Sequence, residues 1–375
     1  MSRARRIGMA LATGLVAVAA LGGSASGSML ALQDDQLPNL SGQALEQRLD
    51  LLKSTGTTVT RVDILWGFVA PTQPADATDP GDPAYDWARY DQIFKGLAAR
   101  DITPIVDFYW TPKWASSTGD KAAAPRVADA SAFAAAIARR YNGTWPDGAG
   151  GTLPLIRRIE IWNEPNIATY WYPQCRRQGR NFVLDSARQY AALLAASYSQ
   201  VKAVSPTAIV TGGVTGPAGD EQCGALDSSV GALTFTKEMV RNHVPIDAWS
   251  MHLYPIGSPA QAYFMPSWRS VPQIQAQVDR LNPGAPIYVT ETGYHTSYNR
   301  YHRYFVSEAQ QAAWVTETKT VADRYPRVQV AMWFNLQDNP YWTGGLLRQD
   351  MSQKPAWGAF RQAAAGEARP ADWSR

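Results

Sequence analysis

The feature that most constrains the fold is a regular alternation of short apolar runs with amphipathic helical stretches. Eight of these runs have the length and composition of buried strands, at residues 29–33, 59–66, 103–110, 156–162, 208–214, 247–254, 286–291 and 328–335. Each of them except the last is followed by a convincing helical stretch, and such alternation is typical of βαβ units with a parallel sheet. We therefore predict an α/β protein with a (β/α)8 TIM barrel rather than an open doubly wound sheet.

Two local signals mark helix ends within this pattern. Ser307 and Gln310 have the spacing of a capping box ahead of an apolar helical stretch, which predicts a helix start. Gly56 stands where the first helix should stop, because glycine adopts the left-handed conformation that often ends helices. Neither an internal repeat nor a long low-complexity linker interrupts the pattern, so we expect a single barrel domain.

The N-terminus has the residue order of a secretory signal peptide. Arg3, Arg5 and Arg6 precede an apolar run over residues 7–21, and small residues follow at 24–26. We predict removal of residues 1–27, a barrel domain over 28–375, and a secreted, extracellular or cell-envelope location. The Arg5-Arg6 pair leaves twin-arginine export open. A membrane anchor is the alternative, but 15 apolar residues at about 1.5 Å each fall short of a hydrocarbon core of about 30 Å, so no stable membrane insertion is expected.

Composition excludes some classes of protein. Apolar residues make up 45% of the chain and charged residues 18%, which is typical of a globular protein with a large core rather than a disordered chain. The chain has 35 Lys and Arg against 32 Asp and Glu. A net charge of +3 does not indicate electrostatic binding to nucleic acid. The 14 Trp and 17 Tyr need burial or a flat ligand to stack on, which is a weak indication of sugars.

Cys175 and Cys223 are the two cysteines of the chain. Both lie in polar stretches rich in Gly, Arg and Gln, which have the composition of loops rather than of buried strands. Because an exported protein meets an oxidising environment, we predict that the two form a disulfide. Two free thiols are the alternative.

The motifs indicate neither a cofactor nor a metal. No spacing such as H-x-x-x-H connects the four histidines, which are His243, His252, His295 and His302. No G-x-G-x-x-G turn follows any predicted strand, which argues against a dinucleotide cofactor.

Two glutamates stand at the carboxyl ends of predicted strands, where barrels of this kind carry their active sites. Glu164 follows the fourth strand in Trp162-Asn163-Glu164-Pro165, and Glu291 ends the seventh in Thr290-Glu291-Thr292-Gly293. Strands four and seven lie across the barrel from one another, so both side chains can point into one mouth. A single glutamate there could be an ordinary salt-bridge partner. Two at complementary strand ends suit cleavage of a glycosidic bond, which needs a proton donor and a nucleophile or base.

These two motifs resemble the acid/base and nucleophile motifs of the clan A glycoside hydrolases, which are retaining (β/α)8 barrels. Within the clan the chain is most similar to glycoside hydrolase family 39 and the endoglycosidases like it, with family 5 cellulase-type enzymes next, and the resemblance covers nearly all of the mature chain. Supporting matches are Arg61-Val62-Asp63 with Trp66, Pro112-Lys113-Trp114-Ala115, Ser250-Met251-His252-Leu253-Tyr254-Pro255 and Lys354-Pro355-Ala356-Trp357.

The resemblance implies a role for each residue of the centre. Glu164 would be the acid/base and Glu291 the nucleophile, with carboxyl groups about 5–5.5 Å apart. Asn163 would bind the sugar 2-hydroxyl. Tyr254 would donate a hydrogen bond to Glu291, and Arg61 would supply the positive charge that keeps Glu291 ionised.

The resemblance also implies substrate-binding side chains. Trp333 matches the platform under the sugar at the catalytic centre. His252 either lines the sugar subsite or is an ordinary core histidine, with equal weight on both. Trp114, Tyr341 and Trp342 lie beyond strand ends among polar residues, so we expect them to be exposed platforms.

Three further groups belong to the same picture. Tyr170, Trp171 and Tyr172 are expected to form an aromatic wall over the acid/base. Asp63 and Asp107 lie within strands and are interpreted as buried hydrogen-bonding groups rather than catalysts. Three arginines follow strand four: Arg176, Arg177 and Arg180. The simplest interpretation is a solvated charged loop, and the alternative is that this rim binds an acidic or phosphorylated glycan.

The sequence thus predicts a secreted, monomeric, retaining glycoside hydrolase with a carbohydrate substrate and no nucleic-acid partner. A non-catalytic glycan-binding barrel of the cell envelope is the alternative, although the presence of both glutamates speaks against it. A membrane-tethered envelope protein would require an uncleaved N-terminal apolar run. The sugar, the linkage and the choice between endo and exo action depend on loop geometry that strand motifs do not fix.

Overall fold

Eight parallel strands form one sheet, as the alternation of apolar runs predicts. The computed structural model describes residues 27–262, 266–298, 303–367 and 369–373. The sheet strands are β1 (Met29–Leu32), β2 (Val59–Leu65), β3 (Thr103–Tyr109), β4 (Arg158–Glu160), β7 (Ile209–Thr215), β8 (Ala248–Leu253), β9 (Ile287–Thr292) and β10 (Val328–Trp333). The remaining two, β5 (Cys175–Gln178) and β6 (Asn181–Leu184), form an antiparallel hairpin in the segment after β4.

The order of the strands is that of a nearly closed barrel. It runs β1-β10-β9-β8-β7-β4-β3-β2, so the last strand pairs with the first and every other neighbour follows the chain. At the seam between β1 and β2, the Thr60 hydroxyl donates to the Leu32 carbonyl at 2.7 Å. The prediction of a (β/α)8 TIM barrel is confirmed.

A helix follows every barrel strand. The helices are α1 (Gly42–Ser54), α2 (Trp66–Val69), α3 (Ala88–Ala99), α4 (Val127–Arg140), α5 (Ser186–Val204), α6 (Ala232–Arg241), α7 (Val271–Val278), α8 (Glu308–Ala322) and α9 (Pro355–Ala364). The last of them follows β10, where the apolar periodicity alone indicated no convincing helix. Its first turn is the Lys354-Pro355-Ala356-Trp357 motif, in which proline occupies a position that needs no backbone N–H.

The local helix signals act as predicted. The Ser307 hydroxyl accepts from the Gln310 backbone N–H, and the Gln310 side chain accepts from the Ser307 N–H, which completes the capping box of α8. Gly56 has a φ of 91° two residues after α1 ends. That left-handed conformation is one that a residue with a Cβ adopts only at a cost.

The amino ends of the strands are closed by the C-terminal segment. Trp373, in a short 3-10 helix (Ala371–Trp373), packs into an apolar cluster inside the barrel. Its ring lies 5.4 Å from that of Tyr288, and the Arg158 guanidinium carbon lies 3.5 Å from the ring centroid. Within the described residues, this plug leaves the carboxyl ends of the strands as the open end of the barrel.

The N-terminal prediction concerns residues outside those that the structure describes. The proposed signal peptide at 1–27 falls on undescribed residues except for Gly27, so its removal stays a prediction. Within the described ranges, no helix combines the length and the apolar character needed to cross a bilayer.

Candidate active site

The structure brings Glu164 and Glu291 together at the open mouth. Glu291 lies near the end of β9, and Glu164 lies four residues beyond the end of β4. His252 of β8 stands between them, with Nδ1 2.8 Å from Glu164 Oε1 and 3.6 Å from Glu291 Oε1. The ligating atoms of the three residues all lie within 4.8 Å of one another. The predicted convergence of the two carboxylates is therefore present.

The turn that carries Glu164 is tightly held. Trp162 and Glu164 have φ values of 73° and 41°, a left-handed region in which non-glycine residues are strained and which is enriched at functional sites. The Glu164 backbone N–H donates to the Val214 carbonyl at 3.0 Å. Gly216 is needed beside it, since a Cβ there would lie 2.6 Å from the Glu164 carboxyl carbon. The strained turn thus fixes the direction of the acid/base candidate.

Asn166 is a residue of this turn that the sequence analysis did not single out. Its fully buried side chain accepts from the Gly216 N–H at 2.7 Å and donates to the Gly216 and Val230 carbonyls at 3.0 and 2.8 Å. These bonds tie the segment after β4 to the segment after β7. An asparagine two residues after the glutamate was the available signal, because its amide can satisfy several backbone groups at once.

Arg61 on β2 is the hub of the centre, and its side chain is fully buried. Its guanidinium contacts Glu160 Oε2 at 2.7 Å, Asp107 Oδ2 at 2.7 Å, Asn163 Oδ1 at 2.8 Å, Glu291 Oε1 at 2.8 Å and Asp63 Oδ1 at 3.2 Å. The contact with Asn163 orients that amide so that its nitrogen remains available as a donor. Glu160, the last residue of β4, is a partner of Arg61 that the sequence analysis did not identify.

Both oxygens of Glu291 are occupied. The Arg61 guanidinium donates to Oε1, and the Tyr254 hydroxyl donates to Oε2 at 2.6 Å, as predicted for that tyrosine. Burial nevertheless raises the pKa of Glu291, against the opposing charges of His252 and Arg61. Arg61 supplies the positive charge expected of it at 2.8 Å, and loss of water together with the Glu164 charge opposes that effect, so that the pKa of Glu291 rises; an ionised Glu291 stays a prediction.

His252 belongs to the site rather than to an ordinary core. Its side chain is fully buried, and Nδ1 contacts Glu164 Oε1 at 2.8 Å and Glu291 Oε1 at 3.6 Å. Nε2 has no hydrogen-bond partner among the described residues. Burial by itself lowers the pKa of His252, but the Glu291 and Glu164 carboxylates outweigh burial and the net shift is upward. Contact with a sugar stays a prediction for this residue.

The aromatic residues differ from expectation in exposure. Trp114 is half-buried against Trp66 and donates to the Ala70 carbonyl at 2.8 Å, while Trp342 is buried against Tyr254. The prediction of an exposed platform is wrong for Trp342, because its ring packs against Tyr254, and Trp114 is only partly exposed. Tyr341 is exposed at 65%.

Trp333 and the predicted wall are also more buried than a platform requires. Trp333 is fully buried and donates to the Gly344 carbonyl at 2.9 Å. Trp171 packs edge-on against Trp162 in the core, so it is not part of a wall over Glu164. Tyr170 does lie near the centre, where burial and the Glu164 and Glu291 charges raise its pKa. Substrate contacts of Trp114 and Trp333 stay predictions.

The predicted disulfide is present. Cys175 and Cys223 are bonded with a Cα separation of 6.1 Å, which ties the start of β5 to the segment after β7. Three neighbouring arginines lie on the β5–β6 hairpin with exposed side chains: Arg176, Arg177 and Arg180. Arg176 Nε lies 3.6 Å from Asp185 Oδ1. This arrangement agrees with a solvated charged loop.

The cluster of Glu164, His252 and Glu291 has the spacing of a cation site, but its chemistry does not suit one. The Arg61 nitrogen lies 2.8 Å from one Glu291 oxygen, and Tyr254 already donates to the other. A cation would meet a fixed positive charge and compete with both donors. The arrangement suits acid/base and nucleophilic chemistry instead.

Comparison with known proteins agrees with the fold. No protein-family model and no curated protein matches the sequence. Among solved structures, a family 39 glycoside hydrolase from the gut symbiont Bacteroides cellulosilyticus WH2 superposes with a TM-score of 0.63 at 20% identity, over 91% of this chain and 64% of that one. The chain has the fold of the family 39 glycoside hydrolases.

Two further solved structures are similar to this chain. A monomeric beta-xylosidase from Caulobacter crescentus CB15 gives a TM-score of 0.60 at 19% identity, over 91% of this chain and 69% of that one. A glucosidase from Croceicoccus marinus gives 0.62 at 16% identity, over 90% and 67%. The chain thus spans about two thirds of the length of these enzymes, and identities this low establish the barrel, whereas activity must be argued from the site.

Proposed function

We propose that the protein is an exported glycoside hydrolase that cleaves O-glycosidic bonds in an oligosaccharide or polysaccharide with retention of configuration. The observation that carries this proposal is the pair of facing carboxylates, Glu164 and Glu291, of which one oxygen each lies within 4.8 Å of the other. Retaining enzymes hold their carboxyl groups about 5–5.5 Å apart, whereas inverting enzymes need about 6.5–9.5 Å for an intervening water. The close approach of one oxygen from each group agrees with the spacing of a retaining enzyme, and the anomer released first tests it.

In the first step, Glu291 attacks the anomeric carbon and forms a glycosyl ester, while the bond to the leaving oxygen breaks. Glu164 gives its proton to that oxygen. Arg61 and Tyr254 hold both oxygens of Glu291 toward the mouth, so the nucleophile enters the reaction already oriented.

In the second step, Glu164 takes a proton from water, and the oxygen of that water displaces Glu291 from the anomeric carbon. Two inversions at one carbon give net retention. His252 Nδ1 holds Glu164 in place at 2.8 Å, and the Asn163 amide nitrogen, left free by the bond from Arg61 to Oδ1, can donate to the sugar 2-hydroxyl. That last contact strengthens as charge develops on the ring.

The test is proton NMR of the first sugar released from a glycoside that the purified protein hydrolyses. Retention predicts that the anomer formed first has the configuration of the substrate, before mutarotation mixes the two. The opposite anomer would mean inversion and overturn the double displacement. Failure to hydrolyse any member of a broad glycoside and polysaccharide panel would overturn the hydrolase itself.

Export and a monomeric state complete the proposal. Export is supported by the order of basic, apolar and small residues over 1–27 and by the disulfide, which is stable outside the cytosol. Mass spectrometry of the mature N-terminus tests cleavage near residue 27, and light scattering of the purified protein tests the monomer.

A further inference from the structure

The floor of the barrel mouth presents a third carboxylate beside the two glutamates. Asp63 on β2 has a side chain that is 17% exposed, compared with 12% each for Glu164 and Glu291. Because Trp373 plugs the other end of the barrel, water reaches all three from the same mouth. Asp63 is therefore a hydrogen-bonding group, as interpreted from the sequence, but it is partly exposed rather than buried.

Asp63 is close to the reacting centre. Its Oδ1 and Glu291 Oε1 contact the same Arg61 nitrogen, Nη1, at 3.2 and 2.8 Å. A sugar whose anomeric carbon lies within reach of Glu291 must therefore place part of its ring or its substituents beside Asp63. The shared nitrogen makes Asp63 a neighbour of the sugar unit that is attacked.

The neighbours of Asp63 prepare it as an acceptor. Gln33 Nε2 donates to its two oxygens at 3.2 and 3.3 Å, and the Tyr109 hydroxyl lies 3.4 Å from Oδ2. On β3, Asp107 is the register partner of Asp63, and burial raises its pKa well above the ordinary value. Gln33 and Tyr109 thus donate to Asp63, which keeps part of its carboxylate exposed.

The positively charged side chains that contact Asp63, Glu164 and Glu291 are not accessible to a ligand. The side chains of Arg61 and His252 have no exposed surface and lie on the carboxylates themselves. Among the described residues around this floor, a carboxylate on the bound sugar would therefore meet Asp63, Glu164 and Glu291 before a cation. A hydroxyl group, in contrast, has a proton to give to Asp63.

We propose that Asp63 accepts a hydrogen bond from a hydroxyl of the sugar unit that Glu291 attacks, and that the site thereby takes a neutral glycone and rejects a uronic acid. This inference rests on the proposed glycosidase activity and adds the substrate class. Asp63 acts as a substrate-binding residue that touches the sugar, whereas Gln33 and Tyr109 position it.

The first experiment compares 4-nitrophenyl glycosides of neutral hexoses and pentoses with the corresponding uronides. The wild-type protein is expected to hydrolyse at least one neutral glycoside, with its uronide about 100-fold lower in kcat/KM, because like charges lie within a few ångströms in a poorly solvated site. A uronide turned over as well as its neutral counterpart overturns the inference. Turnover of no glycoside overturns the proposed function as well.

The second experiment uses Asp63→Asn, which keeps the size of the side chain and removes its charge. We expect kcat/KM on the neutral glycoside to fall about 10- to 100-fold, the value of a charge-assisted hydrogen bond, and the difference from the uronide to shrink. The matched control is Asp50→Asn on the outer helix α1, whose carboxylate is 70% exposed and pairs with Arg100. Equal kinetics for the two variants, with glycosides still hydrolysed, overturn the inference alone.

A substrate series separates contact from a structural effect. Among monodeoxy versions of the hydrolysed glycoside, one should lose activity with the wild-type protein but show no further loss with Asp63→Asn, because hydroxyl and carboxylate are partners in one bond. Additive losses for every monodeoxy substrate overturn the contact. Thermal unfolding of Asp63→Asn checks that the barrel is intact in both comparisons.

Discussion

At the scale of single residues, the two glutamates of the centre are held unequally. Glu291 has a donor on each oxygen, whereas the hydrogen bond of the Glu164 carboxylate within the described part of the chain is to His252 alone. A nucleophile must keep one orientation through the reaction. An acid/base must exchange its proton with two different oxygens, so fewer fixed donors suit it.

This difference predicts different losses for the two variants. Glu291→Gln should abolish turnover of every glycoside, whereas Glu164→Ala should retain activity on aryl glycosides with good leaving groups and should be rescued by azide. An activated leaving group needs little protonation, but each substrate needs the nucleophile. Steady-state kinetics with 2,4-dinitrophenyl glycosides measure both, with Glu46→Gln on α1 as the control. Equal losses without rescue would contradict the assignment.

Glu367 offers a prediction for stability against pH. Its carboxylate accepts from the Leu30 N–H of β1, and burial raises its pKa to about 7 from 4.5. Between those values the unfolded chain has released a proton that the folded chain still holds, so stability falls as pH rises from about 4.5 to 7 and levels off above.

Glu367→Gln should remove that fall. The free energy of unfolding of the variant relative to wild type should increase by about 1–3 kcal/mol from pH 4.5 to 7.5, a value reduced for partial exposure of the side chain. Urea unfolding at the two pH values measures it, with Glu46→Gln as an exposed control. A pH-independent difference between the variant and the wild-type protein would refute the shift.

At the scale of elements, the β5–β6 hairpin is joined to the turn of the acid/base. Gln174, beside Cys175, donates to the Pro165 carbonyl at 2.9 Å and accepts from the Ser186 hydroxyl at 2.8 Å. Pro165 follows Glu164 directly. The disulfide therefore restrains the root of the hairpin, and Gln174 joins that root to the turn that carries Glu164.

Reduction of the disulfide should weaken function before the barrel unfolds. Breaking a 48-residue cross-link releases loop entropy worth up to about 4 kcal/mol, a model-dependent value, and the hairpin is the part that the bond restrains. We expect a higher KM or a shifted acid limb of the pH profile in dithiothreitol, with thermal unfolding still cooperative. A Cys175→Ser, Cys223→Ser variant should show the same kinetics and no response to reductant. Simultaneous loss of activity and fold would count against this local role.

At the scale of the whole molecule, the two ends of the barrel differ, since one is packed with apolar side chains and the other carries the carboxylates. Trp373 and the apolar cluster around it close the amino ends of the strands, while Glu164, Glu291 and Asp63 face the carboxyl ends. In such barrels, changes at the closed end act on stability and changes at the open end act on activity.

Trp373→Ala should therefore lower the free energy of unfolding by about 3–5 kcal/mol, since it leaves a cavity where a fully buried ring packs. Below the unfolding temperature, kcat/KM should remain within about twofold of wild type. Thermal unfolding and aryl-glycoside kinetics on the same samples test this, and Trp373→Phe should give a smaller loss of stability. A large fall in kcat/KM of the folded variant would show that the two ends are coupled.

The sequence by itself determined the elements and the positions of the central residues. Strand periodicity, the Ser307–Gln310 capping box and the φ requirement at Gly56 depend on contacts within a few residues, so they can be recognised locally. Glu164 and Glu291 could be predicted to meet because eight βα units place the ends of the fourth and seventh barrel strands, which are β4 and β9, around one mouth. The disulfide could be predicted because both cysteines lie in polar, loop-like stretches of a chain whose N-terminus has the residue order of an exported protein.

Only the tertiary structure decided burial and partners. The carboxylates around Arg61, the burial of Trp342, the exposure of Asp63 and the plug formed by Trp373 depend on which distant segments pack together. The same cause moved the pKa of Glu291 upward, since loss of water at its position outweighs the neighbouring positive charges. Such quantities are sums over contacts from the whole chain, and no short stretch of sequence contains them.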